Sequence, residues 1–393
     1  MWLICANKAF TLERDLGLKD LCRSALATLR SMVPHVIEGP PPLRLRGPGR
    51  QLILPCGRGL GCLHPHAVHN PRDQAPYWLF YTPYPPDEAE LPYLARSTDG
   101  VRFHCRGVHN PLLERGEYGS WDSHHLADID VIRVGGTWYM YYAGASWVRG
   151  TKRVAIGLAL SDDGMVWRKV SRPVLEPSRD HWWEVGLAKY RAVLSPTALA
   201  IRGDIYMYYE AVDGHGVSHI ALASSRDGLE FDRIGVVMSP ILPWERRGVS
   251  HPFVTRLGRS LIMLYVGYDG ERFRLGAAVG GVDDLTEFER YEEPLLPVRE
   301  SLVAAMARVP LAQRITSLVI RLAVREGLRR LTDLTLPSPT WDSWHAYRSS
   351  LLSTPERELV IDECGIATLY VSAYDAITLI PSIGVYELTI DVG

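Results

Sequence analysis

STDGVRF (97–103), SDDGMVW (161–167) and SRDGLEF (225–231) share one pattern, Ser-x-Asp-Gly with an aromatic residue three places after the glycine, and the copies stand 64 residues apart. A constant period of this length marks a repeat architecture. Each Asp-Gly follows a small or apolar run, PYLARS, VAIGLALS or SHIALASS, and Asp-Gly beside such runs predicts a hairpin because glycine enters positive φ at no steric cost. Upstream of each turn is an aromatic β-run, YWLFYTPY (77–84), TWYMYYAG (137–144) and DIYMYYEA (204–211), with a fourth, SLIMLYVG, at 260–267. Each of these follows a short strand: HPHAV (64–68), ADIDVIRV (127–134), SPTALAI (195–201) and HPFVTRL (251–257). A unit is therefore a meander of four strands, A to D. The fourth unit keeps a degraded turn at Val282-Asp283-Asp284, and Trp341–Gly393 supplies an eroded fifth with YRSSLL, ATLYVSAY and VYELTI. These units predict an all-β, five-bladed β-propeller with blades at about 62–113, 121–177, 188–242, 248–297 and 340–393.

Two segments fall outside the repeat. Residues 1–50 read as an N-terminal helix (10–33) followed by a Pro-rich linker, GPPPLRLRGPG (39–49), leaving 51–393 as the propeller. Residues 299–335 read as amphipathic helices broken at Pro310, inserted between the fourth and fifth units and placed to act as a lid. Across all 393 residues, 43 Lys and Arg oppose 45 Asp and Glu, a net charge of −2. That balance lacks the attraction on which nucleic-acid and anionic-membrane binders depend, so neither partner is expected. The six cysteines show no framework spacing, which predicts free buried thiols and a cytoplasmic protein. Tyr (19) and Trp (11) far exceed Phe (7), a bias toward rings with a polar handle that suits a carbohydrate partner.

In a propeller the A strands line the central channel, and the D-to-A and B-to-C connections share one face. At the start of the A strands the sequence offers His64-Pro65-His66, Asp128-Ile129-Asp130, Ser195-Pro196-Thr197 and His251-Pro252-Phe253. Asp128 and Asp130 lie on one face of a buried strand, where two carboxylates must be paired, hydrated or functional. The connections add His124, His125, Trp147, Trp182, Trp183, Glu184, Arg191 and Glu210, and Arg348 begins the last blade. Acids, histidines and tryptophans converging on a channel mouth make a candidate ligand site. The Ser and Asp of the S-x-D-G turns are expected only to satisfy turn backbone. A His/Asp cluster of this kind has the donors for a metal, but no motif fixes ligand spacing, and no metal or cofactor is assigned.

The succession D/H-P-x-V, G-x-W/Y-Y-M-Y-Y and A-x-S-x-D-G-x-x-W/F resembles the five-bladed propeller glycoside hydrolases, the clan of arabinanases, β-xylosidases, invertase-like enzymes and β-mannoside phosphorylases. The likeness covers about 62–297 well and 340–393 weakly. Arabinanase-like members carry three channel acids, and the resemblance places them at His64, at Asp130 and just before Pro196, where Leu194 and Ser195 stand. It implies attack on a glycosidic bond by paired carboxylates, with Asp130 and Asp128 on the base side and Glu184 or Glu210 as acid. His64, His66, His124, His125, Trp147, Trp182, Trp183, Arg191, His251 and Arg348 would then bind substrate. A phosphorylase variant would draw on the arginines to hold phosphate. A carbohydrate-binding propeller without catalysis, and a His-rich pocket turned to a non-sugar substrate, are the alternatives.

Overall fold

The computed structural model of the protein describes residues 36–37, 43–54, 61–84, 89–296, 341–342, 345–375 and 381–390. The helices expected at 10–33 and 299–335 lie outside them. The described residues are all-β, with 3-10 turns only at Trp182–Glu184 and Pro243–Glu245. None of their helices is long and apolar enough to cross a membrane.

Three short strands come first: β1 (Val36–Ile37), β2 (Leu43–Leu45) and β3 (Arg50–Gln51). The first antiparallel meander is β4 (Gly61–His69), β5 (Tyr77–Tyr84) and β6 (Tyr93–Ser97). The second is β7 (His125–Val134), β8 (Thr137–Val148), β9 (Thr151–Ser161) and β10 (Arg168–Lys169). The next comprises β11 (Tyr190–Ile201), β12 (Asp204–Val212), β13 (Ser218–Ser225) and β14 (Asp232–Met238). It is followed by β15 (Gly248–Leu257), β16 (Ser260–Tyr268), β17 (Phe273–Gly281) and β18 (Asp284–Tyr291). The last is β19 (His345–Leu351), β20 (Ile366–Tyr374) and β21 (Pro381–Ile390). Short parallel pairings of β9 with β11 and of β13 with β15 join three of the meanders into one thirteen-stranded sheet.

The Pro-rich stretch read as a linker takes part in this architecture. β2 and β3 pair antiparallel with β21, and β1 runs parallel to β18, so an early segment completes sheets built from the end of the chain. The first strands of the meanders, β4, β7, β11, β15 and β19, pack side by side in that order, and β19 returns to β4. Separate apolar clusters fill the spaces between neighbours, including one of Leu52, Leu79 and Tyr81 with Tyr370 and Ile383 that joins the first meander to the last.

Two repeated devices hold the meanders together. In each S-x-D-G turn the Ser Oγ accepts the Gly N–H, at 3.0 Å from Gly100, 2.8 Å from Gly164 and 2.8 Å from Gly228. The Asp carboxylate accepts the next two amides, for instance Met165 and Val166 at 2.8 and 2.9 Å from Asp163. The glycines have φ of 73°, 77° and 78°. Tyr370 and Tyr141, on second strands of their meanders, donate to the carbonyls of Gly100 and Gly228 in neighbouring meanders, at 2.8 and 3.2 Å.

The second device is Trp followed by an acid: Trp121-Asp122, Trp183-Glu184 and Trp244-Glu245, with Trp341-Asp342 before β19. Trp121 stacks on Tyr142 and Trp244 on Tyr265. The acids accept a tyrosine hydroxyl, Tyr209 to Glu184 and Tyr265 to Glu245, each at 2.6 Å. They also pair with a cation, Lys169 with Asp122, Arg233 with Glu184 and Arg290 with Glu245, each at 2.8 Å. Trp183, expected from its place in a connection to face a ligand, is thus a buried strut, and Trp121 and Trp244 hold the same place in their own units. The expectation of free thiols is also corrected: Cys105 is disulfide-bonded, whereas Cys62 and Cys364 are free. Scattered spacing along the chain does not bound distance in the fold.

Candidate functional site

Each first strand is irregular at the same place. The pairing of β4 with β5 skips between Leu63 and His66, β7 with β8 between Ala127 and Asp130, β11 with β12 between Leu194 and Thr197, and β15 with β16 between Ser250 and Phe253. His64, Asp128, Ser195 and His251 sit in these bulges with φ of 56°, 52°, 49° and 50°. A left-handed backbone at a non-glycine residue costs on the order of 1–3 kcal/mol. Four repetitions at equivalent positions mark a built feature, since bulges re-aim side chains. β19 has its irregularity between Ala346 and Ser349, which adds Tyr347 and Arg348 to the group.

These side chains meet at one end of the channel. His64 Nε2 is 3.3 Å and His251 Nε2 3.9 Å from Asp128 Oδ1. The two imidazoles are nearly parallel, 8° between planes with centroids 6.5 Å apart, and Tyr347 lies 4.3 Å from the His251 ring. Arg348 Nη1 donates to Asp128 Oδ1 at 3.0 Å, and its Nη2 to the carbonyls of Ile129 and Pro196. On the far side of the His251 ring, Nδ1 is 3.6 Å from Glu210 Oε2. Ser218 donates to Glu210 Oε1 at 2.7 Å and Ser195 to Oε2 at 3.4 Å. Glu90, between β5 and β6, approaches His64 Nδ1 at 3.5 Å.

Charge is sharply divided among these groups. Burial pushes Glu210 up to about 7, with Asp128 adding and the Ser218 hydroxyl opposing. Burial, then Asp128, likewise raises Glu90 to about 7. At Asp128 burial acts in the same direction, but His64, Arg348 and His251 outweigh it and hold the carboxyl below the usual range. Burial lowers His64 to about 4 and His251 to about 3 against the pull of Asp128, so both rings are neutral at pH 7.

One layer deeper the pattern differs. Asp130 is fully buried; its Oδ1 takes Arg357 Nη2 and its Oδ2 the amide of Ala198 at 3.0 Å. Arg357 also reaches Thr197 Oγ1 at 2.9 Å and the Ala198 carbonyl at 3.0 Å, and lies over the Phe253 ring. His66 joins this layer, with Nε2 at the Val131 backbone and Nδ1 3.4 Å from Asp130. Glu184 is not at the mouth; both its oxygens are held by Arg233. Trp183 is buried beside it, whereas Trp182 (45% exposed) and Trp147 (57%) are open to solvent. His124 and His125 stack at 4.1 Å, and His125 Nδ1 accepts the Glu90 amide. Arg191 lies on β11 beside Arg153 of β9.

A cavity of about 550 Å³ opens above the mouth, lined by Glu210, His251, Tyr347, Tyr190, Ser218 and Phe273 among others. Its walls come from the connections into β11 and β15 and those after β12 and β16. Glu90, Tyr347 and Arg357 escape sequence reasoning. Tyr347 alone carried a signal, as the residue beside Arg348 at the bulge position of the eroded unit.

No family model matches the chain. A β-1,2-mannobiose phosphorylase of Thermoanaerobacter sp. (strain X514) is 27% identical over 117 residues, 26% of this chain, and the match spans only 37% of that enzyme. An N-acetylgalactosamine deacetylase from F. plautii, solved with blood group B trisaccharide, superposes with a TM-score of 0.60 at 16% identity, covering 88% of this chain and 95% of that one. A thermostable family-43 glycoside hydrolase gives 0.56 at 14% identity, over 85% and 93%. An α-L-arabinofuranosidase from Lactobacillus brevis gives 0.55 at 12%, over 84% and 91%. The fold of this chain is that of the propeller glycoside hydrolases, and its sequence has diverged far from theirs.

Proposed function

We propose that the chain is a five-bladed propeller enzyme acting on a carbohydrate at the channel mouth, with Glu210 as the group that transfers the proton to or from the scissile bond. The closed order of first strands, with an apolar cluster between each neighbouring pair, supports the blade count. The observation that carries the function is the placing of Glu210. It lines the cavity, is buried, is held by two hydroxyls, and has no Lys or Arg paired to it among the described residues. Asp128 faces it across the His251 ring and supplies a fixed negative charge clamped by Arg348. Paired carboxylates in unlike surroundings are what glycosidic cleavage uses. Asp130 and Glu184, each with its oxygens engaged, act as struts in this reading.

A second reading, removal of an acyl group from a sugar, is favoured by one observation. His64 occupies the first-blade place where the glycosidase pattern has an acid, and the F. plautii neighbour is a deacetylase. Incubation with a panel of oligosaccharides, aryl glycosides and N-acetylated sugars, with and without phosphate, separates the outcomes. Reducing sugar signals hydrolysis, sugar phosphate phosphorolysis, and acetate deacylation. Glu210→Gln is expected to lower turnover roughly 10²–10⁴-fold. No turnover of any member of the panel, or an unimpaired Glu210→Gln variant, would overturn the proposal.

A further inference from the structure

We propose that His64 Nε2, His251 Nε2 and one oxygen of Asp128 bind a divalent transition-metal cation, of the Zn²⁺ or Mn²⁺ class, whose remaining position faces the cavity. The proposal rests on the reading of the channel mouth as the site and adds to it the means by which substrate oxygens are held.

The three donor atoms come from three different meanders and lie within 4.8 Å of one another. Asp128 Oδ1 is 3.3 and 3.9 Å from the two nitrogens. Donors sharing a zinc at 2.0–2.1 Å with tetrahedral angles are about 3.4 Å apart, so the His64–Asp128 pair already has the right spacing and the His251 ring has to move inward on binding. All three residues are buried. His251 Nε2 is the second, independent sign: it is buried, aimed at Asp128 and without a hydrogen-bond partner. A buried ring nitrogen left so is unfavourable unless something else occupies it.

The outer atoms carry the arrangement that metal ligands require. A ligating histidine uses one ring nitrogen for the metal and the other for a polar partner that fixes its orientation. His64 Nδ1 meets Thr82 Oγ1 at 2.5 Å, with Glu90 beyond it, and His251 Nδ1 meets Ser250 Oγ at 3.0 Å. His66, one layer down, also has a buried ring nitrogen without a hydrogen-bond partner, Nδ1, but that atom faces Asp130, whose Oδ1 is taken by Arg357, and its Nε2 is at the Val131 backbone, so it lies outside the group. Two imidazoles and one carboxylate suit a borderline cation better than Ca²⁺, which takes six or more oxygens. Tyr347 and Glu210 flank the open side, where a sugar hydroxyl, an acyl oxygen or water would complete the coordination.

The test uses the 393-residue chain, stripped with chelator and titrated with Zn²⁺, Mn²⁺ or Co²⁺ in a calorimeter, with elemental analysis of the protein as purified. One equivalent of cation is expected, and Co²⁺ should give the visible absorption bands of a low-coordinate nitrogen–oxygen site. His64→Ala, His251→Gln and Asp128→Asn should each weaken binding at least 10-fold while retaining the circular dichroism of the parent. His109→Ala, at an exposed histidine outside the cluster, should bind as the parent does. Absence of saturable binding, or equal binding by the folded triad variants, overturns the proposal. Carbohydrate turnover by cation-free protein would overturn it while leaving the enzyme reading intact. Cation binding without turnover of any sugar would do the reverse.

Discussion

Asp128 and Asp130 are two residues apart, and the structure gives them opposite work. Asp128 sits in a left-handed bulge at the mouth, whereas Asp130 lies in the regular strand beneath, enclosed by Arg357, Thr197 and Ala198. Arg357 is itself buried and has no other carboxylate within reach among the described residues. Removing one member of such a pair leaves an uncompensated charge in the interior, at a cost of about 3–5 kcal/mol. Arg357→Met is therefore expected to lose that much in urea unfolding, and Asp130→Asn added to it should recover a large part. A single variant within 1 kcal/mol of the parent would remove the structural role assigned to the pair. The pair of aspartates is legible in ADIDVI, but the division between them is not. It depends on Arg348 and Arg357, which lie 220 and 227 residues further along the chain.

Among the elements, the S-x-D-G turns are the most completely legible, because every contact that makes them is local. Their glycines are less free than the turn alone requires. A Cβ on Gly164 would stand 2.7 Å from Trp78 Cζ3, in addition to the strain of φ 77°. Gly136, with φ 98°, has nothing within 4 Å of that position. Gly164→Ala should therefore cost clearly more than the ~1 kcal/mol of conformational strain, and Gly136→Ala about that strain alone, as read from denaturation midpoints. The turn aspartates also set a pH dependence. At Asp99 and Asp227 the amides of Arg102 and Leu229 are the foremost of the donors that hold the carboxyl below its ordinary range; at Asp163 burial opposes, and the Val166 and Met165 amides prevail. Folded values below the unfolded one give stability that is present above about pH 4 and lost as the pH falls through the folded values. Asn at all three positions should flatten the stability profile between pH 4 and 2; an unchanged slope would show that these turns carry none of it. The Trp-acid pairs were equally open to reading, since Trp121, Trp183 and Trp244 recur 62 and 61 residues apart. Their recurrence identifies Glu184 as one strut among several.

At the scale of the molecule, the ring closes through segments that do not repeat. β2 completes the sheet of β21 and buries Leu43 in the cluster that holds Phe253, Trp341 and Tyr386. Leu43→Ala should accordingly cost about 2–5 kcal/mol, a large effect for a residue read from sequence as linker, and a loss below 0.5 kcal/mol would mean that this strand does not secure the ring. The opposite end of the channel is crossed by the connection from β19 to β20. Its Ser353 reaches β4 at His69, its Pro355 carbonyl reaches β7 at Arg133, and Arg357 reaches β11 and β15 at Ala198 and Arg256. This connection thus ties four first strands together beyond their bulges, on the side away from the mouth.

The chain's own sequence determined the repeat, the meander, the turns and the recurring strand position that holds His64, Asp128, Ser195 and His251, because each arises from contacts a few residues apart and returns with a constant period. Tertiary structure alone decided which of those polar groups are bound and which are free to act. Burial and the guanidinium partners of each carboxylate are set by residues brought from the far end of the chain, through connections that share no period with the rest.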